Sequence, residues 1–123
     1  SSDKSEFMIG YFTKHGDGAS DITPIISLYK LQVRGIAKYL GIPDNIISKK
    51  SSPHLWKDHE AENELGISYE EIDSVLYCMD KKKLSAEDTE KITMIEKSKI
   101  QKIQELILKS EHKRLGAQKP DIN

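Results

Sequence analysis

The sequence predicts a mostly helical fold, and three segments carry the patterns that indicate it. Residues 28–40 place apolar side chains on one arc and a basic stripe on the opposite arc, as an amphipathic helix does. A capping box, Ser-Tyr-Glu-Glu at residues 68–71, starts a second helix. Isoleucines at positions 100, 103 and 107 define the buried face of a third. Apart from residues 22–26, no convincing run for a β-strand core occurs, and 123 residues suit one domain.

The amino-terminal third is expected to hold a short helix, a loop and the amphipathic helix. Residues 4–12 predict the short helix, and residues 16–24 predict the loop, because glycine permits positive φ and proline disfavours helix before it. The amphipathic helix stops at Gly41, with Pro43 beyond it, and residues 44–47 add one turn. The predicted inward side chains are Phe7, Met8, Tyr11, Phe12, Leu28, Ile36, Tyr39 and Leu40. The predicted solvent stripe is Lys30, Arg34 and Lys38.

The middle of the chain predicts a long loop, and the remainder predicts helices. Residues 48–63 are polar, carry one proline and offer only Leu55 and Trp56 for burial, so they indicate a flexible or functional loop. After the capping box, residues 72, 75, 76 and 79 share one helical face, and Ile67 can staple against Ile72. Ser85 starts a weaker helix, and residues 96–110 form the last long one. We expect residues 1–115 to be one structural unit and residues 116–123 to be a flexible tail.

Composition narrows the class of protein. The 19 basic and 20 acidic residues nearly cancel, which gives no overall attraction to nucleic acid or anionic lipid. No apolar run approaches the ~20 residues that a membrane span needs. A single cysteine, Cys78, cannot form an internal disulfide, so an intracellular setting is expected.

Three stretches follow one another along the chain: "SSDKSEFMIGYFTKHGDGASDITPIISLYKLQVRGIAKYLG", "ELGISYEEID" and "SEHKR", which span it from residue 1 to residue 114. In this order they resemble the corresponding segments of ammonia-dependent NAD synthetases. The resemblance implies an α/β fold, the Rossmann-like adenine-nucleotide alpha-hydrolase fold, with this chain supplying its mostly helical carboxy-terminal half. It also implies a cytoplasmic homodimer. The family's Ser-Gly-Gly-x-Asp-Ser ATP loop does not occur in this sequence, so we expect the chain alone to be inactive.

The implied reaction couples three substrates: deamido-NAD, ATP and ammonia. In the family, the nicotinate carboxylate attacks the α-phosphate of ATP, pyrophosphate leaves, and ammonia displaces AMP from the acyl-adenylate to give NAD. Both nucleotides are anionic, so such a site calls for Mg²⁺, lysines and exposed backbone N–H groups. Closely spaced glycines, as in residues 10–18, let a backbone approach a ligand.

The resemblance implies roles for eight side chains of this sequence, and we add one candidate of our own. Glu6 stands at the family's magnesium ligand, and Asp17 is our candidate for polarising ammonium or placing the metal. Ser1 and Ser52 stand where threonines contact ATP. The ATP-binding set is Ser1, Lys30 and Ser52, and the deamido-NAD set is Lys14, Asp21, His112 and Lys113.

The long loop departs from the family pattern. Where many members have a Gly-Gln-Thr-Asp-like run, this chain has Asp58, His59, Glu60 and Ala61. Histidine and carboxylate side chains here could suggest zinc, but closed zinc sites prefer tighter signatures. A loop that orders over bound nucleotide is favoured instead, because water must be excluded from an acyl-adenylate. The side chains considered for zinc are His54, Asp58, His59, Glu60 and Glu62.

Two functions of other classes stay open from the residues alone. Residues 84–114 read as short helices joined by a turn with a basic end, as in a helix-turn-helix module that docks in DNA. The second of these helices alternates acid with base, which disfavours DNA binding. A helical module that binds a protein partner is the other alternative.

Overall fold

A computed structural model of the chain describes residues 1–52, 55–117 and 119–121. Within these ranges the chain forms eight α-helices joined by turns, and no β-strand occurs. The region considered for a strand is instead irregular, with a turn at residues 24–27. The helices are α1 (Lys4–Ile9), α2 (Lys30–Tyr39), α3 (Asp44–Ile47), α4 (Ala61–Leu65), α5 (Tyr69–Leu76), α6 (Ala86–Thr93), α7 (Lys97–Lys109) and α8 (Glu111–Arg114). A 3₁₀ turn covers Asp17–Ala19, and a π-helical turn, Tyr77–Lys81, extends α5.

The predicted helix starts are confirmed where the sequence supplies an N-cap residue, as at Ser68 and Ser85. The Ser68 side chain accepts from the backbone N–H of Glu71, and Glu71 bonds back to Ser68, which completes the predicted capping box of α5. Ser85 caps α6 in the predicted place. The first helix is shorter than expected, because Gly10 adopts φ 73° and ends α1 in the left-handed conformation.

The core lies between α1, α5 and α7, which all contact one another. The capping-box helix contributes Tyr69, Ile72 and Val75, each 0% exposed, and α7 contributes Ile100 and Ile103, also 0% exposed. These positions repeat at helical spacing, so the apolar face read from the sequence is the face that packs. Ile67 is buried in the same cluster as Ile72, as the predicted staple requires.

The amphipathic helix α2 does not bury the apolar face that the sequence predicted; Lys30 and Arg34 face the rest of the chain instead. Its expected inward residues Ile36, Tyr39 and Leu40 are 44%, 90% and 67% exposed, and α2 has no buried residue. The expected solvent stripe turns inward at Lys30 and Arg34, because acidic groups on α1 and α5 attract their cations. Lys30 pairs with Glu6, and Arg34 pairs with Glu70 at 3.0 Å.

Residues 48–63 also differ from the expectation in what they bury. Leu55 and Trp56 are 74% and 56% exposed, whereas His59 and Ala61 are 4% and 0% exposed. The backbone N–H of Ala61 donates to Ser51 O at 2.9 Å, so the two ends of this segment lie together. Positions 53 and 54 of the loop, and positions 118, 122 and 123 of the expected tail, lie outside the described residues. No helix in the described part of the chain is long and apolar enough to cross a membrane.

Candidate active site

Lys30 lies between two carboxylates at the start of α1. Its Nζ is 2.6 Å from Asp3 Oδ2 and 2.7 Å from Glu6 Oε1, and it lies 4.9 Å from the centroid of the Tyr69 ring. Burial lowers the pKa of Lys30, but the hydrogen bonds to Asp3 and Glu6 outweigh burial and leave this pKa raised. Lys30 is therefore a fixed cation in a mostly anionic cluster.

Helix caps hold this cluster in place. Asp3 accepts from the backbone N–H of Glu6, and Glu6 accepts from the backbone N–H of Asp3, which is the capping box of α1. The start of α2 is held by α1 and α5: the N–H of Lys30 donates to Ser5 Oγ at 2.9 Å, and Asp73 Oδ2 accepts from the N–H of Leu31 at 2.8 Å. The Ser5 hydroxyl donates to the other oxygen of Asp73. Burial raises the pKa of Asp73.

One cavity gathers four of the predicted site residues. It has a volume of ≈ 220 Å³ and lies beside the Lys30 cluster. Serine hydroxyls and carboxylates make its wall polar. Its lining residues are Ser1, Ser2, Glu6, Tyr11, Asp17, Ser51 and Ser52. The predicted ATP and metal residues Ser1, Glu6 and Ser52 thus face one space, which we call the serine cavity.

A second cavity adjoins it and contains Lys113. This space of ≈ 280 Å³, the lysine cavity, is lined by Gly10, Tyr11, Phe12, Thr13, Asp17, Leu55, His59, Glu64 and Lys113. Lys113 Nζ donates to Gly10 O at 2.7 Å and to Phe12 O at 3.0 Å, so the end of α8 is held against the turn after α1. Tyr11 and Asp17 line both cavities.

The other predicted substrate residues are only partly brought together. Lys14 Nζ donates to His112 O at 2.7 Å, and His112 Nδ1 lies 3.1 Å from Lys109 O at the end of α7. Lys14, His112 and Lys113 therefore lie together. Asp21 is exposed and is not among the described residues that line either cavity.

Sequence reasoning missed several members of the site. Asp3, Ser5, Tyr69 and Asp73 hold Lys30 and the helix starts, and only the Asp3-to-Glu6 spacing of a capping box could have indicated one of them. Tyr11 and Glu64 were also missed. Tyr11 Oη donates to Glu64 Oε2 at 2.7 Å, and burial together with this carboxylate raises the pKa of Tyr11.

The donor atoms at the serine cavity fit Mg²⁺ better than zinc. Mg²⁺ binds oxygen ligands and commonly uses one or two carboxylates together with substrate phosphates and water. Glu6 and Asp17 supply two such carboxylates at one cavity. Within the described ranges no group of three or more His, Cys, Asp or Glu side chains could hold a metal by itself. Of the residues considered for zinc, His59 instead hydrogen-bonds to Glu64, and His54 lies outside the described part.

Comparisons with known proteins point to one family. The NAD synthase family matches residues 1–117. The chain is 48% identical over 120 residues to the NH(3)-dependent NAD(+) synthetase of Aeropyrum pernix, covering 98% of this chain and 42% of that relative. It is 51% identical over 120 residues to the enzyme of that name from Staphylothermus marinus, covering 98% of this chain and 44% of the relative.

A solved structure agrees with this match. NMN synthetase from Francisella tularensis superposes with a TM-score of 0.76 at 38% identity, over 98% of this chain and 45% of that one. The chain thus spans less than half the length of the relatives it matches. The family match over residues 1–117 shows that this chain belongs to the NAD synthase family.

Proposed function

We propose that residues 1–115 supply the carboxy-terminal half of an ammonia-dependent NAD synthetase. The reaction is the ATP-dependent amidation of deamido-NAD to NAD, with AMP and pyrophosphate as the other products. The observation that carries this proposal is the pair of adjoining cavities that share Tyr11 and Asp17. One cavity has the hydroxyls and carboxylates suited to ATP with its metal, and the other has a lysine suited to an anionic second substrate.

The first step joins the two substrates. An oxygen of the nicotinate carboxylate attacks the α-phosphorus of ATP, the bond from that phosphorus to the bridging oxygen breaks, and pyrophosphate leaves with the electron pair. Ser1, Ser52 and Lys30 are proposed to hold the phosphates. Lys30 now pairs with Asp3 and Glu6, so it must exchange at least one of these partners to contact a phosphate.

The second step forms the amide. The nitrogen lone pair of ammonia attacks the acyl carbon, the carbon–oxygen bond to AMP breaks, and the nitrogen gives up a proton. Ammonium first loses one proton to water to give ammonia, and the Asp17 carboxylate, which lines both cavities, is proposed to bind the incoming nitrogen and accept the proton it gives up after the attack. Lys14, Asp21, His112 and Lys113 are proposed to bind deamido-NAD, although Asp21 needs a change of position or a ligand that reaches it.

The metal and the assembly belong to the same proposal. Glu6 would hold Mg²⁺ together with phosphate oxygens, and the bound ion would offset the negative charge of the nucleotide. We propose the Rossmann-like α/β fold for the complete enzyme, a homodimeric assembly and a cytoplasmic location. We also propose that residues 116–123 are a tail apart from this unit.

Amidation of a mononucleotide is a second candidate, favoured by the match to NMN synthetase at 38% identity. Both candidates activate a nicotinate carboxylate, and they differ in whether an adenylate group is attached to the substrate. Identities of 48% and 51% to NAD synthetases favour the dinucleotide. A DNA-recognition role is disfavoured by charge, since 19 basic residues are offset by 20 acidic ones.

A chimera tests the proposal. Residues 1–117 replace the matching segment of the Aeropyrum pernix relative, and NAD formation is measured with deamido-NAD, ATP, Mg²⁺ and ammonium. We expect turnover by the chimera, none by the 123-residue chain alone, and a much lower rate for Glu6→Gln. Exposed His15, which is not among the residues that line either cavity, offers the control His15→Gln.

Several outcomes would count against this assignment. Robust turnover by the chain alone would contradict the division of the site between two halves. A folded chimera that is inactive with deamido-NAD would overturn the proposed reaction. Activity with nicotinate mononucleotide in place of deamido-NAD would support the second candidate instead.

A further inference from the structure

Three side chains, one of them far from the other two in sequence, meet at the wall of the lysine cavity. His59 Nε2 lies 2.6 Å from Glu64 Oε2, and Tyr11 Oη donates to the same oxygen at 2.7 Å. The Tyr11 hydroxyl is also 3.3 Å from His59 Nε2. We call Tyr11, His59 and Glu64 the clasp. They join Tyr11, in the turn after α1, to His59 and Glu64, which lie 48 and 53 positions later in the sequence.

The histidine of the clasp is held from several sides. His59 is 4% exposed, and its ring stacks on Trp56 with the centroids 3.4 Å apart and the planes at 13°. Its Nδ1 is buried without a hydrogen-bond partner among the described residues. The preceding Asp58 has φ 58°, a conformation that a non-glycine side chain adopts at a cost. An unsatisfied ring nitrogen and a left-handed neighbour persist only where surrounding contacts hold the segment.

The hydrogen bonds fix which ring nitrogen carries a proton. Glu64 Oε2 accepts from both His59 and Tyr11, and these hydrogen bonds, His59 first, lower the pKa of the Glu64 carboxyl. A carboxylate oxygen cannot donate, so Nε2 of His59 must be the donor. Neutral His59 is therefore the Nε2–H tautomer, with its lone pair on the buried Nδ1.

The position of the clasp connects the loop to the proposed nucleotide site. Tyr11 lines the serine and lysine cavities, while His59 lines the lysine cavity and a further space of ≈ 390 Å³ that includes Lys50 and Ser52. Lys50 Nζ pairs with Glu60 Oε2 at 2.8 Å, directly after His59. Moving His59 would therefore move the wall beside Ser52.

We propose that His59 and Glu64 are positioning residues, which hold residues 55–60 against Tyr11 and so keep the wall beside Ser52 in place. Neither residue needs to touch a reacting atom for this. The consequence for ATP rests on the proposed function, whereas the clasp itself can be tested without any nucleotide.

The first test is the tautomer of His59 in the 123-residue chain. Two-bond proton–nitrogen correlation spectra of the imidazole rings at neutral pH distinguish Nε2–H from Nδ1–H. We expect Nε2–H for the ring resonances that disappear in His59→Gln, and averaged tautomers for exposed His15. An Nδ1–H tautomer, or the same averaged shifts as His15, would overturn the clasp.

The second test measures local opening by limited trypsin digestion. Lys57 lies in the exposed part of the held segment, and Lys83 in a distant exposed turn is the reference cut. His59→Ala should speed cleavage after Lys57 by about tenfold, since hydrogen bonds to a charged group are lost, with little change at Lys83. His59→Gln, which keeps an amide donor, should recover most of the protection.

Two results of the digestion would overturn the proposal. Equal acceleration at Lys57 and Lys83 would mean general destabilisation, and unchanged cleavage in both His59 variants would mean that the clasp holds nothing. If His59→Ala does not fold, Tyr11→Phe takes its place, because it removes only the hydroxyl bonded to Glu64. Acceleration at Lys57 alone supports the clasp.

The chimera then separates the clasp from the proposed reaction. His59→Ala should raise KM for ATP by about tenfold with a smaller change in kcat, because wall position affects binding more than chemistry. Equal kcat and KM in His59→Ala and wild type would overturn the link to ATP. A chimera that makes no NAD counts against the proposed function, and the tautomer and digestion results then decide the clasp alone.

Discussion

Gly10→Ala should disrupt the contact that brings the end of α1 against the end of α7. Gly10 has φ 73°, and a Cβ added there would lie far inside van der Waals contact of the Ser110 Cβ and Oγ atoms. Ser110 is 6% exposed and its backbone lies directly behind, so it has little room to move. The same junction receives Lys113, whose Nζ donates to Gly10 O at 2.7 Å.

The magnitude follows from two separate costs. A side chain in the left-handed conformation costs about 1–2 kcal/mol. Forcing an extra carbon into a packed contact costs about 1–3 kcal/mol. Gly10→Ala should therefore lower the free energy of unfolding by about 2–5 kcal/mol, a large part of the ~5–15 kcal/mol typical of a domain.

The assay is urea unfolding of the 123-residue chain, followed by circular dichroism at 222 nm, a wavelength that reports helix. Gly35→Ala is the matched control, because Gly35 lies inside α2 and an added Cβ there meets nothing within 4 Å. It should stabilise the chain by about 0.5–1 kcal/mol, since alanine favours helix over glycine. A loss of less than about 0.5 kcal/mol for Gly10→Ala would refute the close junction of α1 and α7.

Three further predictions concern charge and capping. Because the pKa of Lys30 is raised in the folded chain, its ion pairs stabilise the fold fully below its ordinary pKa of ~10.4 and are lost as pH rises through the folded value. The melting temperature should therefore fall above about pH 10.5, and this fall should be smaller in Lys30→Met. The hydrogen bond from Lys99 lowers the pKa of Glu71, so this pair contributes to stability above about pH 4.3 and is lost as pH falls through the folded value. Glu71→Gln should therefore make the melting temperature less sensitive to acid. An unchanged dependence of melting on acid pH would contradict the pairing. Ser68→Ala removes the N-cap of α5 and should cost about 1 kcal/mol in urea unfolding, whereas a neutral effect would show that the cap is dispensable.

The helices that the sequence predicted best are those with both a cap and a buried apolar stripe. Helix α5 has its capping box and the buried residues Ile72 and Val75, so local and tertiary preferences agree. Helix α2 shows where this reasoning fails. A helical pattern separates an apolar face from a charged face, but it does not say which face meets the rest of the chain. The charged face turns inward because acids on α1 and α5 are there to pair with it.

The candidate site, like the helices, was predicted only in part. Family motifs in the sequence marked Glu6, Lys30, Ser52 and Lys113, and the fold brings Glu6 and Ser52 to one cavity. No motif marked the clasp, because Tyr11 and His59 are 48 positions apart and their hydrogen bond exists only after the chain folds.

The sequence by itself determined the helical content, most helix ends and the family, since these depend on local spacing and on the order of motifs along the chain. The tertiary structure alone decided which face of α2 is covered, which carboxylates pair with Lys30 and which residues support the loop at residues 55–60. These outcomes depend on distances between segments far apart in sequence, and side-chain periodicity carries no information about such distances.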